Sequence, residues 1–121
     1  MSDSKYVRTE QLGDALVVTP LFTFAAFVEP DLANEWSEVQ KQVEAPGVKN
    51  VVVDLSAIPY FGSTVLEWMV QMWKRAKAKG GKLATCQASP IGREVLITAR
   101  FHQLWGICDS RAEALAWVTA K

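Results

Sequence analysis

The sequence predicts an α/β domain on a mostly parallel sheet of about four or five strands, with one antiparallel strand at an edge and about four helices. Three observations lead there. Short β-branched runs alternate with helical stretches in the order β-β-α-β-α-β-α-β-α, the signature of right-handed crossovers. Val51-Val-Val53 is a continuous apolar run of the kind buried on both faces of a parallel sheet. The chain has 121 residues, 50% of them hydrophobic, and shows no repeat, linker or low-complexity segment, so residues 1–121 read as one domain with a modest core.

Tyr6 to Gln11 reads as a half-exposed strand, Leu12-Gly-Asp14 as a turn and Ala15 to Thr19 as the partner strand of a hairpin. Pro20 to Val28 is a loop carrying three phenylalanines, Phe22, Phe24 and Phe27, which must pack against something. Pro30 suits the first turn of a helix. Leu32, Trp36, Val39 and Val43 give that helix its apolar stripe, and Ala45-Pro-Gly47 ends it. Val51 to Leu55 is the central strand. A long helix then opens near Gly62-Ser-Thr64, with Leu66, Met69, Val70, Trp73 and Ala76 as its core row, and Gly80-Gly81 closes it. Lys82 to Cys86 reads as a strand. Ser89-Pro90 is a cap followed by a first-turn proline, opening a short helix with Ile91, Val95 and Leu96. Leu104 to Cys108 reads as the last strand. Ser110 and Glu113, three apart, form a capping box for a last helix with Leu115 and Val118 inward. Trp73 reads as core, and Trp36, Trp105 and Trp117 as core or rim.

Composition argues against several functions. Basic and acidic residues number 13 each, and the densest basic cluster, Lys74-Arg75 with Lys77 and Lys79, sits where a helix C-terminus favours cations. That is a poor footprint for nucleic acid. Cys86 and Cys108 form no CxxC and, with His102 as the single histidine, cannot make a zinc site. They read as small apolar strand residues in a reducing compartment. The polar start Met1 to Lys5 has no signal-peptide character, and no apolar stretch reaches about 18 residues. The expected address is the cytoplasm, without membrane insertion. His102 reads as a surface or capping residue. Asp54 ends the central strand with no second carboxylate close in sequence, and reads equally as a cap of the following turn. No glycine loop for phosphate is present. The sequence therefore argues against an enzyme, and implies neither cofactor nor metal.

Ser63 and Thr64 are the residues with chemical potential. They follow a strand and open a helix, where backbone N–H groups are unpaired and the dipole is positive. A hydroxyl there can cap the helix, and Thr64 to Glu67 has capping-box spacing. The same place suits a phosphoryl group.

At this point the chain resembles the STAS domains of the anti-sigma factor antagonist family, from the hairpin to the last helix. The resemblance is carried by Val51-Val-Val-Asp-Leu55, by Gly62-Ser63-Thr64 after six intervening residues, and by Leu66 and Gly80-Gly81. It continues through Cys86-Gln-Ala-Ser-Pro90 and Asp109-Ser-Arg-Ala-Glu-Ala-Leu115. The family pattern at the junction is Asp-Ser-Ser/Thr-Gly, with the serine after the aspartate phosphorylated by a partner serine kinase that is itself an anti-sigma factor. Carried over, the acceptor is Ser63, with Thr64 as the alternative acceptor and otherwise the cap. The resemblance implies a partner-switching binding module reset by a PP2C-type phosphatase, with ATP belonging to the kinase. Gly62 stands where the family has aspartate, Val65 where it has glycine, and the phenylalanine loop where it often has Gly-Glu-Leu-Asp.

The expected partner surface comprises Phe22, Phe24, Phe27, Gly62, Val65, Trp68 and Met72. Val65, Trp68 and Met72 form a second apolar row on the long helix, either sandwiched or exposed with Trp68 as an anchor; an exposed patch would also favour a homodimer. The alternative function is a phosphorylation-independent STAS scaffold or subunit, in a stressosome-like assembly or a lipid-transport ABC system.

Overall fold

The computed structural model of the chain describes residues 6–21 and 30–120. Their elements are β1 (Val7–Leu12), β2 (Ala15–Pro20), α1 (Pro30–Glu44), β3 (Asn50–Asp54), α2 (Ser63–Ala78), β4 (Leu83–Cys86), α3 (Pro90–Thr98), a 3₁₀ turn (Phe101–Gln103), β5 (Gly106–Cys108) and α4 (Arg111–Thr119). The expected alternation holds. The phenylalanines Phe22, Phe24 and Phe27 lie outside the described residues.

The strands stand in the order β1-β2-β3-β4-β5, with β1 antiparallel to β2 and every other pairing parallel. Each crossover steps the same way along the sheet, so crossovers of one hand bring their helices to one face. Leu16, Val18, Val51, Val53 and Leu83 accordingly pack with Val39 and Val43 of α1, Met69 and Met72 of α2, and Leu96 of α3. The alternate strand residues Ala15, Val17, Val52, Ala84 and Cys86 face the other way, onto Ala114 and Val118 of α4. Val51 to Val53 reads as an unbroken apolar run because both faces are covered.

The helices stop for local reasons. Lys79 Nζ donates to the carbonyls of Val43 (2.7 Å) and Ala45 (3.0 Å), closing the end of α1 from α2. Gly80 takes φ +78°, a left-handed turn that suits glycine, and its N–H donates to the Lys77 carbonyl. At the amino end of the sheet the buried Asn50 side chain donates to Asp14 Oδ1 (3.2 Å) and accepts from the Lys82 N–H (2.9 Å).

Three expectations need correction. The face of α2 is rotated from the predicted one. Val65, Trp68, Met69, Met72 and Ala76 are buried, whereas Leu66, Val70 and Trp73 only pack partly against the core. The apolar arc of α2 is too broad for spacing to locate its centre. The structure centres it on Met69, and α1 covers Trp68. Second, the strand expected from Leu104 is only Gly106–Cys108. The preceding residues form the 3₁₀ turn that drops Trp105 into the core against Phe101 (centroids 4.7 Å apart) and Trp73 (6.4 Å). An apolar run does not distinguish a strand from a turn that buries the same side chains. Third, the capping box of α4 is shifted. The Glu113 N–H donates to Ser110 Oγ (3.1 Å), but the Glu113 carboxylate accepts from the Asp109 N–H (3.3 Å). No helix among the described residues is long and apolar enough to cross a membrane.

Candidate functional site

The carboxyl ends of β3 and β4 meet the loop 55–62, which leads into α2. Open parallel sheets bind their ligands at this end. Ser63 is the first residue of α2 and is exposed; Thr64 follows it, half-buried. Gly62 is the N-cap, and no side chain caps the helix. The expected capping by Thr64 with Glu67 is therefore not made, because the helix begins two residues earlier, with Gly62 and not Thr64 as its N-cap. The first helical bond is Leu66 N–H to the Gly62 carbonyl (3.3 Å), which leaves the N–H groups of Ser63, Thr64 and Val65 ahead of it without a capping side chain. Gly62 adopts φ −104° and ψ −166°, extended backbone open to any residue, so the turn does not require glycine.

A shallow cleft of about 360 Å³ runs from Ser63 along α2. Ser63, Leu66, Glu67, Val70 and Lys74 line one side and Phe101 of the 3₁₀ turn the other. Leu66 and Val70, two of the partly exposed apolar residues of α2, lie here. Val65, Trp68 and Met72, expected to line a partner surface, are 1%, 6% and 1% exposed and belong to the core. Trp68 is taken up by Trp36, stacked on it from α1. Gly62 is half-buried.

Asp54 ends β3 and is buried. Its Oδ1 accepts from the Ser56 N–H (2.9 Å), the turn cap that is one of its two readings, and its Oδ2 accepts from Arg111 Nη2 (2.9 Å). Arg111 Nη1 donates to Glu10 Oε1 (3.0 Å), so one guanidinium ties α4 to β1 and β3. Burial pushes the Asp54 carboxyl up, but the Ser56 hydrogen bonds and the Arg111 guanidinium outweigh it and hold the group below its ordinary value. A carboxylate engaged in this way is a structural clamp and not a base. Burial, aided by the charge on Asp54, pushes the Cys86 thiol up to about 12, and burial also raises Cys108. His102 is exposed in the 3₁₀ turn.

Three participants escaped the sequence reading. Phe101 had no signal, since nothing local marks a 3₁₀ turn as a neighbour of α2. Arg111 had one: a cation in the first turn of a helix opposes the dipole and needs a partner. Ser89 was read as a cap, and the Gly92 N–H does donate to its Oγ (3.0 Å); its second bond, to the Pro59 carbonyl, was not visible.

Comparison with known proteins matches this fold. The family model described as the STAS domain matches residues 6–114. BtrV, a candidate anti-sigma factor antagonist of Bordetella bronchiseptica, is 32% identical over 85 residues, covering 69% of this chain and 72% of its own length. An anti-sigma-factor antagonist domain from Planctomyces limnophilus superposes with a TM-score of 0.77 at 25% identity, over 96% of this chain and all 100% of that one. The anti-sigma factor antagonist SpoIIAA in its unphosphorylated form shares the fold at a TM-score of 0.73 and 12% identity, over 90% of this chain and 92% of its own. The phosphorylated form of SpoIIAA, from Bacillus, gives 0.67 at 13% identity, over 91% and 96%.

Proposed function

This chain belongs to the STAS domain family, and from that premise we propose that it is an anti-sigma factor antagonist whose partner binding is switched by phosphorylation of Ser63. The family is one of non-enzymatic binding modules. The observation that carries the reading is the position of Ser63: exposed, at the uncapped N-terminus of α2, on the rim of an apolar cleft. The unmodified cleft offers Leu66, Val70 and Phe101 to an apolar partner side chain. A phosphoryl group at Ser63 adds about −1.5 to −2 charge, which the unpaired N–H groups and helix dipole accommodate on this chain. The same charge sets an obligatorily hydrated group beside the apolar contact, so the partner leaves. In this reading the partner is an anti-sigma factor that is itself a serine kinase and supplies the ATP, and a PP2C-type phosphatase resets the switch. That SpoIIAA has been solved in both unphosphorylated and phosphorylated forms supports the comparison.

The test is direct. The protein is incubated with a candidate anti-sigma serine kinase and ATP, its intact mass is measured, and the modified residue is mapped. One phosphate on Ser63, absent from Ser63→Ala, is the expected result. Failure to label Ser63 or Thr64 eliminates the switch.

Gly62 favours a second reading. It removes the carboxylate that the family places beside the acceptor, which suits a phosphorylation-independent STAS scaffold or subunit. Under that reading Ser63→Ala leaves partner affinity unchanged, while Leu66→Ala or Phe101→Ala weakens it by more than ~1 kcal/mol.

A further inference from the structure

We propose that Ser89 and Gly92, on the first turn of α3, are positioning residues for Ser63: they hold the loop 55–62 so that the acceptor hydroxyl is presented in one place. The inference rests on the reading of Ser63 as the acceptor.

Because no side chain caps α2, the placement of its first residue depends on the chain that precedes it. That chain is tied at its start by the Leu55 N–H donating to the Cys86 carbonyl (2.9 Å) and the Ser56 N–H donating to Asp54. Its far half is held by α3. The Ser89 hydroxyl donates to the Pro59 carbonyl while accepting from the Gly92 N–H, so one side chain both closes the N-terminus of α3 and clasps the loop. Two residues on, the buried Phe61 ring lies against Gly92. A Cβ there would stand 2.9 Å from Phe61 Cε2, closer than such atoms approach, so the ring keeps this place only over glycine. Pro59 and Phe61 are thus pinned from one helical turn, and Gly62-Ser63 follows immediately. Ser89 contacts a backbone carbonyl, so it reads the path of the loop and not its side chains. The first turn of α3 thereby governs the entry to α2.

The test measures backbone order by nitrogen-15 relaxation on the full chain. Ser89→Ala should lower the order parameters of residues 60–64 from the rigid value of about 0.85 to about 0.6, while β2 and β4 stay rigid. Ser89→Thr, which keeps the hydroxyl, should restore them. Gly92→Ala should displace the Phe61 ring resonances and loosen the same residues. In the kinase incubation, Ser89→Ala should slow phosphate transfer to Ser63 about tenfold and shift labelling toward Thr64. Unchanged order at 60–64 in Ser89→Ala overturns the proposal, and so does an equal fall in β2 and β4, which marks general loosening. If the wild-type chain takes no phosphate, the acceptor reading falls while the order parameters still decide the positioning.

Discussion

The indoles of Trp36 and Trp68 lie parallel, with ring centroids 4.3 Å apart and planes 7° from one another. This pair joins α1 to α2 and accounts for the burial of Trp68. Truncating Trp68 to alanine should cost about 3–5 kcal/mol of stability, whatever the partner. A double-mutant cycle with Trp36→Ala, followed by urea unfolding, should give a coupling of about 0.5–1.5 kcal/mol. Strictly additive losses would mean that the stacking contributes nothing beyond buried area.

The Asp54–Arg111 clamp predicts a pH dependence with a definite sign. The folded carboxyl titrates below its ordinary value of 3.8. Its stabilisation is therefore complete above that value and is lost as pH falls through the lower folded value. The urea midpoint of the wild type should exceed that of Asp54→Asn at pH 6, and the gap should close as pH drops below 3.8. Arg111→Ala should cost about 1–3 kcal/mol at neutral pH, since it leaves a buried carboxylate with one partner fewer. A gap that widens in acid would reverse the assignment.

The thiols should be slow. Cys86 is fully buried with its pKa pushed to about 12, and the half-buried Cys108 is raised as well. At pH 8 in native buffer, alkylation followed by mass spectrometry should label Cys108 before Cys86 and both far more slowly than in urea, because the thiolate is the nucleophile. Fast labelling of Cys86 would mean that β4 opens readily.

Gly62→Asp places a capping carboxylate on extended backbone at the uncapped start of α2. The variant should be more stable by about 0.3–1 kcal/mol, from the hydrogen bond and the helix dipole together. A thermal midpoint raised by a few degrees would bear this out. A lowered midpoint would mean that the side chain cannot reach the free N–H groups.

Much of this architecture was legible because its signals are local. Proline at the start of α1, the Ser89 and Ser110 caps, the Gly80 stop and the β-branched β3 each act within a few residues of where they stand. The inner face of α2 was not, because Val65, Leu66, Trp68, Met69, Val70, Met72 and Trp73 spread around much of its first three turns. Only the sheet beneath Met69 and the indole of Trp36 decide which way it turns. The place of Ser63 at a helix start was legible from the strand before it. The Phe101 side of its cleft and the Ser89 clasp are long-range contacts, set by tertiary packing that no spacing encodes.

The strand order carries a consequence for how the chain is made. Since each parallel strand lies beside the one before it in sequence, the sheet can grow from a single edge as the polypeptide leaves the ribosome, every new strand docking on a finished neighbour. The face toward α4 is the exception. Ala15, Val17, Val52 and Ala84 stay open to water until Ala114 and Val118 arrive, after the last strand of the sheet. During that interval the nascent domain has one sealed side and one adhesive side, and a chaperone would find its hold on the latter.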